Sequence, residues 1–384
     1  MNDHSPARRP LRVVTLITRL EGGAGVLTLR GATVLDPGQF RVTIVTGSGD
    51  YLLDQAAQAG LEVIMEPALR TPIDPRSDLR ALRALSALLR RQSYDVAHTH
   101  TAKAGVLGRM AARRAGVPRI IHTYHGFPFH EFQSRGRHGA YVAVERRIGR
   151  STDVALCVGA GVAAEAVRRR LVAPERVRTI GVVVDGAPGT DLPARSQEAR
   201  DRARRALGLP AEAIVVGAVG RLAYQKAPED FLAMLQLLGR PGVVGVWVGG
   251  GELAERIGRL ARAQPGRVVL TGERRDVPEI LPAFDVFALP SRYEGLPTAI
   301  VEAMVCGIPV VATAVNAVSD VVVPGETGLL VPPQRPDLMA QAVRYLIDRP
   351  AVAARIAVTA RARLGERFTP PTLRDALVRA YLGC

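Results

Sequence analysis

The chain has 384 residues, a formal charge of +15 and three cysteines. That length exceeds one ordinary hydrophobic core and predicts two domains. Cys157, Cys306 and Cys384 are odd in number and far apart, without a CxxC pair or a Cys/His cluster, which excludes a disulfide framework and a zinc module.

The opening stretch "MNDHSPARRPLRVVTLITRLEGG" sets basic residues before an apolar run, as a signal peptide does. The run is short and is broken by Arg12 and Arg19, so it reads as a first β-strand and the protein as cytoplasmic. No apolar run is long enough to span a bilayer. Short β-branched runs then alternate with amphipathic stretches, the pattern of parallel sheets with crossover helices. In the first half the strands read at 12–18, 41–47, 62–66, 96–100, 119–125 and 154–159. Between them, residues 78–92 read as a helix with Leu79, Leu82, Leu85, Leu88 and Leu89 on one face. Residues 182–205 are rich in Gly, Pro and polar residues and read as a linker. The second half repeats the theme at 214–221, 243–250, 267–272, 286–291 and 309–315. The fold class is therefore α/β: two Rossmann-like β/α/β domains, 1–185 and 186–368, facing each other across a cleft, with a terminal helix at 369–384.

Charge is uneven along the chain. Residues 1–190 hold 27 basic and 16 acidic side chains, about +11 of the total. Such a field suits an anionic partner: a phosphorylated substrate, an anionic membrane surface or nucleic acid. Nucleic acid is disfavoured, because aromatics are scarce and no zinc-finger, homeodomain or RRM signature is present. An arginine-rich background alone also yields a basic surface.

Among the 51 basic residues only Lys103 and Lys226 are lysines, and Asn2 and Asn316 are the only asparagines. A lysine kept in such a background marks a place where a compact ammonium is needed as a point charge. Lys226 lies in "GRLAYQKAPED", where a strand ends in Gly220-Arg221 and a turn leads into a helix. Two cations at a parallel strand's carboxyl edge suit a diphosphate, and hold it more tightly as it becomes a leaving group. Downstream, "LPSRYEGLPTAIVEAMVCGIPVVAT" (289–313) separates Glu294 from Glu302 by seven residues. A strand ends before it and a helix starts near Pro297, so the amides of Gly295, Leu296 and Thr298 offer an anion site. Carboxylates beside it suit sugar hydroxyls. In the first half, Gly22 and Gly23 of "EGGAG" follow the first strand and allow close backbone approach; they lack the GxGxxG spacing.

His98, His100, His122, His125 and His130 cluster in "AHTHTAKAG" and "IHTYHGFPFH", each at a strand end. A metal cluster is one reading, but the i, i+2 pairs lack a convergent carboxylate pair. The preferred reading gives His125 to the reacting sugar, Lys103 to a second phosphate or the acceptor, and the strand histidines to packing.

Together these motifs, with "HTHTAKAGVLGR", "HTYHGF" and "PGETGLLVPP" (324–333), resemble glycosyltransferase family 4, the retaining "glycosyl transferases group 1" enzymes of GT-B fold, over nearly the whole chain. The resemblance implies Arg221 and Lys226 on the diphosphate of a nucleotide sugar, and Glu302 on the ribose. It implies Glu294 with the Gly295–Thr298 backbone, including Leu296 and Pro297, on the donor sugar and distal phosphate. The turn around Arg274 would meet the base, and His125 the transferred sugar. It also implies that neither a metal nor another cofactor is needed, in keeping with the lack of a DxD triplet. Three places depart from the family pattern: Gly25, where Glu or Gln is common; Ala317 and Ser319 in "VNAVSDVV"; and "IGVVVDGAP" before the linker.

No acidic residue in the first-half motifs stands out as a nucleophile, which favours front-face transfer with closure about 182–205. The resemblance also implies that the terminal helix at 369–384 packs back on the N-terminal domain. The donor reads as a UDP-sugar before a GDP- or ADP-sugar. The acceptor reads as a saccharide, a lipid-linked saccharide or a small molecule, and helix 78–92 or "VERRIGR" (144–150) could seat on membrane. Rival readings are a nucleotide-sugar 2-epimerase or phosphorylase-like enzyme of the same fold, and a non-catalytic sugar-nucleotide or polyanion binder.

Overall fold

In a computed structural model the structure describes residues 9–184, 195–264 and 267–383. The chain divides into two compact units, Met1–Val183 with Pro370–Cys384, and Val184–Thr369.

The first unit is built on β1 (Leu11–Leu20), β2 (Phe40–Gly49), β3 (Glu62–Met65), β4 (Val96–His100), β5 (Arg119–Tyr124), β6 (Val154–Cys157) and β7 (Val177–Thr179). They form one sheet in the order β3-β2-β1-β4-β5-β6-β7, every pairing parallel. The second unit has β8 (Ile214–Val219), β9 (Val243–Val248), β10 (Arg267–Leu270), β11 (Val286–Leu289), β12 (Val310–Thr313) and β13 (Leu329–Val331). Their order is β10-β9-β8-β11-β12-β13, again all parallel. In both sheets the first strand is central and the order reverses beside it, the switch point where open α/β sheets bind ligands. Central strands covered on both faces must be apolar throughout, and Val13, Val14, Leu16 and Ile17 of β1 are fully buried.

The edge strands β7 and β13 escape the sequence reading, since three residues carry no period. The linker reading at 182–205 needs correction. Residues 185–194 lie outside the described residues, but Gln197–Ala206 is a helix capped by the Ser196 hydroxyl, which accepts from the Ala199 amide. Its Arg204 is buried and donates to Asp285 at 2.7 Å and to the Ala213 carbonyl at 2.8 Å. Leu79 is a second correction. It is 47% exposed, whereas Leu82, Leu85, Leu88 and Leu89 are buried. At 3.6 residues per turn it sits roughly 110° from the centre of their stripe.

Strand pleating sorts the side chains of β4 and β5 onto two faces. On one, His98 hydrogen-bonds Thr123 at 2.7 Å and, through its other nitrogen, Tyr381 of the helix Pro370–Leu382 at 2.9 Å. On the other, His122 meets Thr99 at 2.9 Å. Beyond it, Arg109 donates to both Glu145 oxygens, at 3.1 and 2.8 Å, and Tyr124 donates to the same carboxylate at 3.1 Å. Glu145 belongs to "VERRIGR", so that segment turns its acid into the protein and its arginines out. Among the described residues no helix is long and apolar enough to cross a membrane.

Candidate active site

In the second unit β8 ends at Val219 and the chain turns through Gly220 with φ +155°. A Cβ there would lie 3.2 to 3.4 Å from three carbons of the Lys226 stem, and L side chains rarely adopt that backbone conformation. Glycine therefore lets the turn fold Lys226 back beside it. The turn is pinned to the end of β9: the Leu222 amide donates to Gly250 at 2.6 Å and the Trp247 indole to the Gly220 carbonyl at 2.8 Å. Arg221 is exposed, and among the described residues no carboxylate pairs with it.

Glu294 is the centre of the site. Its side chain is buried, and its Oε1 takes hydrogen bonds from Lys226 Nζ at 2.5 Å and Ser291 Oγ at 2.6 Å. Oε2 takes one from Gln225 Nε2 at 3.1 Å. The backbone carbonyl of Glu294 accepts from the Asn316 side-chain amide, and the Thr313 hydroxyl holds the Ser291 carbonyl at 2.6 Å. So the loop after β11 is fastened by its neighbours before it reaches the helix Thr298–Val305. Pro297 is the residue before that helix rather than its first, a difference of one position. Among the described residues the amides of Gly295, Leu296 and Thr298 have no hydrogen-bond acceptor. Glu302 projects from the second turn and is part-buried.

A buried arginine absent from the sequence reading joins these two loops. The Arg292 amide donates to the Gln225 carbonyl at 2.8 Å, its guanidinium to the Tyr224 carbonyl at 2.7 Å, and it lies 4.3 Å from the Tyr224 ring centre. Glu229 and Asp230 stand 3.9 and 3.8 Å away as counter-charges. Burial raises the Asp230 carboxyl above its usual range, against the pull of Arg292. Arg292 thus sets the spacing of the Lys226 loop from the Glu294 loop. Arg274 is exposed and forms a two-bond pair with Asp276, at 2.8 and 2.5 Å.

In the first unit, His125 follows β5 and its Nε2 lies 2.9 Å from Nδ1 of buried His100. Desolvation pulls His125 down to about 4 and His98 to about 3, and holds His100 and His122 well below the ordinary histidine range. All four are neutral near pH 7 and serve as hydrogen-bonding groups. Lys103 is committed locally: its ammonium donates to Asp78 at 2.6 Å and to the Pro72 carbonyl, tying two helix starts together. Gly22 opens the helix Gly22–Thr33 with φ +59°, and Gly22 and Gly23 are exposed. At Gly25 a Cβ would sit 2.9 Å from the Leu20 carbonyl carbon and 3.0 Å from Leu52, which explains that departure: the turn is too tight for a side chain. Among the described residues no three His, Cys, Asp or Glu side chains converge as a metal set.

Two Rossmann-ordered parallel sheets, with cations, a buried carboxylate and bare amides at the carboxyl edge of one, define a GT-B glycosyltransferase. Residues 21–186 match Glycosyltransferase Family 4 and residues 213–349 match Glycosyl transferases group 1. The chain is 31% identical over 306 residues to the UDP-Gal:alpha-D-GlcNAc-diphosphoundecaprenol alpha-1,3-galactosyltransferase of Escherichia coli, covering 77% of each chain. It is 30% identical to the D-inositol 3-phosphate glycosyltransferase of Rhodococcus opacus, covering 94% of this chain and 85% of that one. In fold it is similar to Anabaena HepE in complex with UDP and glucose, with a TM-score of 0.83 at 22% identity over 97% of this chain and 100% of that one. The chain belongs to glycosyltransferase family 4. It is a hexosyltransferase that uses a nucleotide-sugar donor.

Proposed function

We propose that this enzyme transfers a hexosyl group from a UDP-sugar to a lipid-linked saccharide with retention of anomeric configuration and without a metal ion. The observation that carries the reading is the constellation around Glu294: Lys226 on its carboxylate, exposed Arg221 in the same turn after β8 and, among the described residues, the bare amides of Gly295, Leu296 and Thr298. Arg221, Lys226 and these amides take the diphosphate, doing with fixed charges what a divalent cation would otherwise do. Glu294 accepts hydroxyls of the donor sugar, and Glu302 takes the ribose. The backbone around Arg274 meets the base. His125, neutral at pH 7, hydrogen-bonds the transferred sugar.

In the step itself the bond from the anomeric carbon to the diphosphate oxygen breaks as the acceptor oxygen bonds to the same face. The acceptor's proton passes to the departing diphosphate, whose charge grows where the cations already stand. The UDP and lipid-linked assignments lean on the similarity to the Escherichia coli UDP-Gal:alpha-D-GlcNAc-diphosphoundecaprenol alpha-1,3-galactosyltransferase. A phosphorylated small-molecule acceptor is the second reading, favoured by the longer match to the Rhodococcus opacus enzyme.

The test is transfer from UDP-galactose and UDP-glucose to a soluble polyprenyl-diphosphate GlcNAc analogue in EDTA, with the product's anomeric configuration read by NMR. Turnover in EDTA with an α-linked product is expected. A β-linked product, or activity restored only by Mg²⁺ or Mn²⁺, overturns the reading.

A further inference from the structure

In the first unit the ring of His125 is the last of three imidazoles in a row. The rings of His98 and His100 are 4.2 Å apart, and those of His100 and His125 5.1 Å. His98 and His100 share a face because two positions separate them on β4. His100 is in register with Thr123 of β5, and His125, two positions further on, returns to that face. His98 is held at both nitrogens, by Thr123 at 2.7 Å and Tyr381 at 2.9 Å. Buried His100 stacks on it and meets His125 Nε2 with its own Nδ1 at 2.9 Å.

The backbone on the far side of His100 is strained. Thr101 has φ +60° and ψ 166°, a region almost confined to glycine and unfavourable for a β-branched side chain. A chain of hydroxyls holds it there. The Thr18 hydroxyl of β1 accepts from the Ala104 amide at 3.2 Å, and the Thr101 hydroxyl donates to the His100 carbonyl at 2.6 Å. The two hydroxyl oxygens are 3.0 Å apart. Thr101 has its single proton engaged on His100, so Thr18 is the donor between them. β1 thus fixes the main chain of His100 while His98 fixes its ring. Strain of this kind persists only where the surroundings enforce it, and it gathers at functional sites.

Desolvation keeps both His100 and His125 neutral near pH 7. In their mutual bond one ring supplies the proton and the other the lone pair. A histidine bonded through one ring nitrogen is fixed in tautomer and in orientation, and its other nitrogen is the one left for a ligand. We infer that His100 is a positioning residue for sugar transfer: its Nδ1 holds His125 Nε2, so that His125 presents Nδ1, in one tautomer and one orientation, to a hydroxyl of the transferred sugar. Packing alone would ask only that the two rings fit. The consequence for transfer rests on the reading that gives His125 to that sugar; the bond between the two rings does not.

NMR of protein labelled with ¹⁵N at histidine tests the bond, and kinetics test its use. A coupling between His100 Nδ1 and His125 Nε2 across the hydrogen bond is expected in wild type. His100→Leu is expected to abolish it and to lower kcat about 10- to 100-fold at saturating donor, while affinity for UDP, which has no sugar, stays at the wild-type value. His100→Asn keeps a polar atom at the place of Nδ1 and is expected to recover most of the rate. His122→Gln, on the other face of the strands, is expected to lose stability and keep its kcat. No coupling in wild type, a wild-type kcat in His100→Leu, an equal kcat loss in His122→Gln, or His100→Asn as slow as His125→Ala overturns the inference; the first and last of these need no folded leucine variant. His125→Ala separates the two readings. If it is slow and His100→Leu is not, the positioning role fails and the sugar contact stands. If it turns over as wild type does, the sugar contact fails and takes the positioning role with it.

Discussion

Glu294 is a buried acid whose charge is balanced by one ammonium, one hydroxyl and one amide. A buried carboxylate with fewer donors would be neutralised or disordered, so Ser291 and Gln225 are positioning residues for it. Lys226 and Glu294 stood out in the sequence, the first by rarity and the second by spacing. Asn316 carried the same rarity signal as Lys226, and its reach to the Glu294 carbonyl is not visible from spacing alone. Arg292 was illegible for another reason: one arginine among so many gives no contrast until its burial is known. For Arg292→Met, KM for the donor is expected to rise by about tenfold or more, with a stability loss of about 1–3 kcal/mol because Glu229, Asp230 and the Tyr224 carbonyl lose their partner. An unchanged KM would remove Arg292 from the positioning role. Gly220→Ala is expected to lose most donor affinity, because the new methyl strains the turn and crowds the Lys226 stem; wild-type affinity in calorimetry would refute that.

At the level of elements, β4 and β5 bring four histidines to the first unit and keep them neutral. Their folded-state affinities for protons lie below the unfolded value of about 6.5. The stability this represents is complete above pH about 6.5 and is lost as pH falls toward 4 and 3, because the unfolded chain takes protons that the folded chain refuses. The unfolding midpoint should therefore fall across that window, and His98→Gln should flatten part of the fall. A flat profile in wild type would contradict the burial of these rings. The Arg109–Glu145 pair offers a second test. Arg109→Met leaves Glu145 buried without its cation, so a loss of about 3–5 kcal/mol is expected in denaturant unfolding of the first unit. A loss below 1 kcal/mol would show the pair to be dispensable. Strands were legible because β-branched runs between turn residues have few alternatives. The helix Gln197–Ala206 was obscured by its polar composition, although Ser196 ahead of Glu198 and the spacing of Ala199 and Ala203 were available signals.

In the whole molecule, the same sheet order is built twice, and the last helix belongs to the first unit. Leu373, Leu377 and Tyr381 are buried there, with Tyr381 against Phe40 at a ring separation of 5.8 Å and bonded to His98. Deleting 370–384 should expose β1, β2 and β4 to hydrogen exchange and leave β8 to β12 protected. Equal deprotection of both units would show that the helix supports the molecule in some other way. Two-domain organisation and the donor motifs were readable from alternation and spacing. The return of the chain to its first unit was an expectation of the family resemblance and not of the helix itself, because a short amphipathic helix does not say which surface it will cover.

The most direct test of the donor site is calorimetric titration of UDP, GDP and ADP into wild type and Lys226→Ala, in EDTA. The account predicts that UDP binds wild type preferentially, and that Lys226→Ala weakens it by about tenfold or more through loss of a charge-assisted contact. Binding that is equal in both proteins, or absent from wild type, would contradict the assignment of Lys226 and the loop of Glu294 to the donor diphosphate.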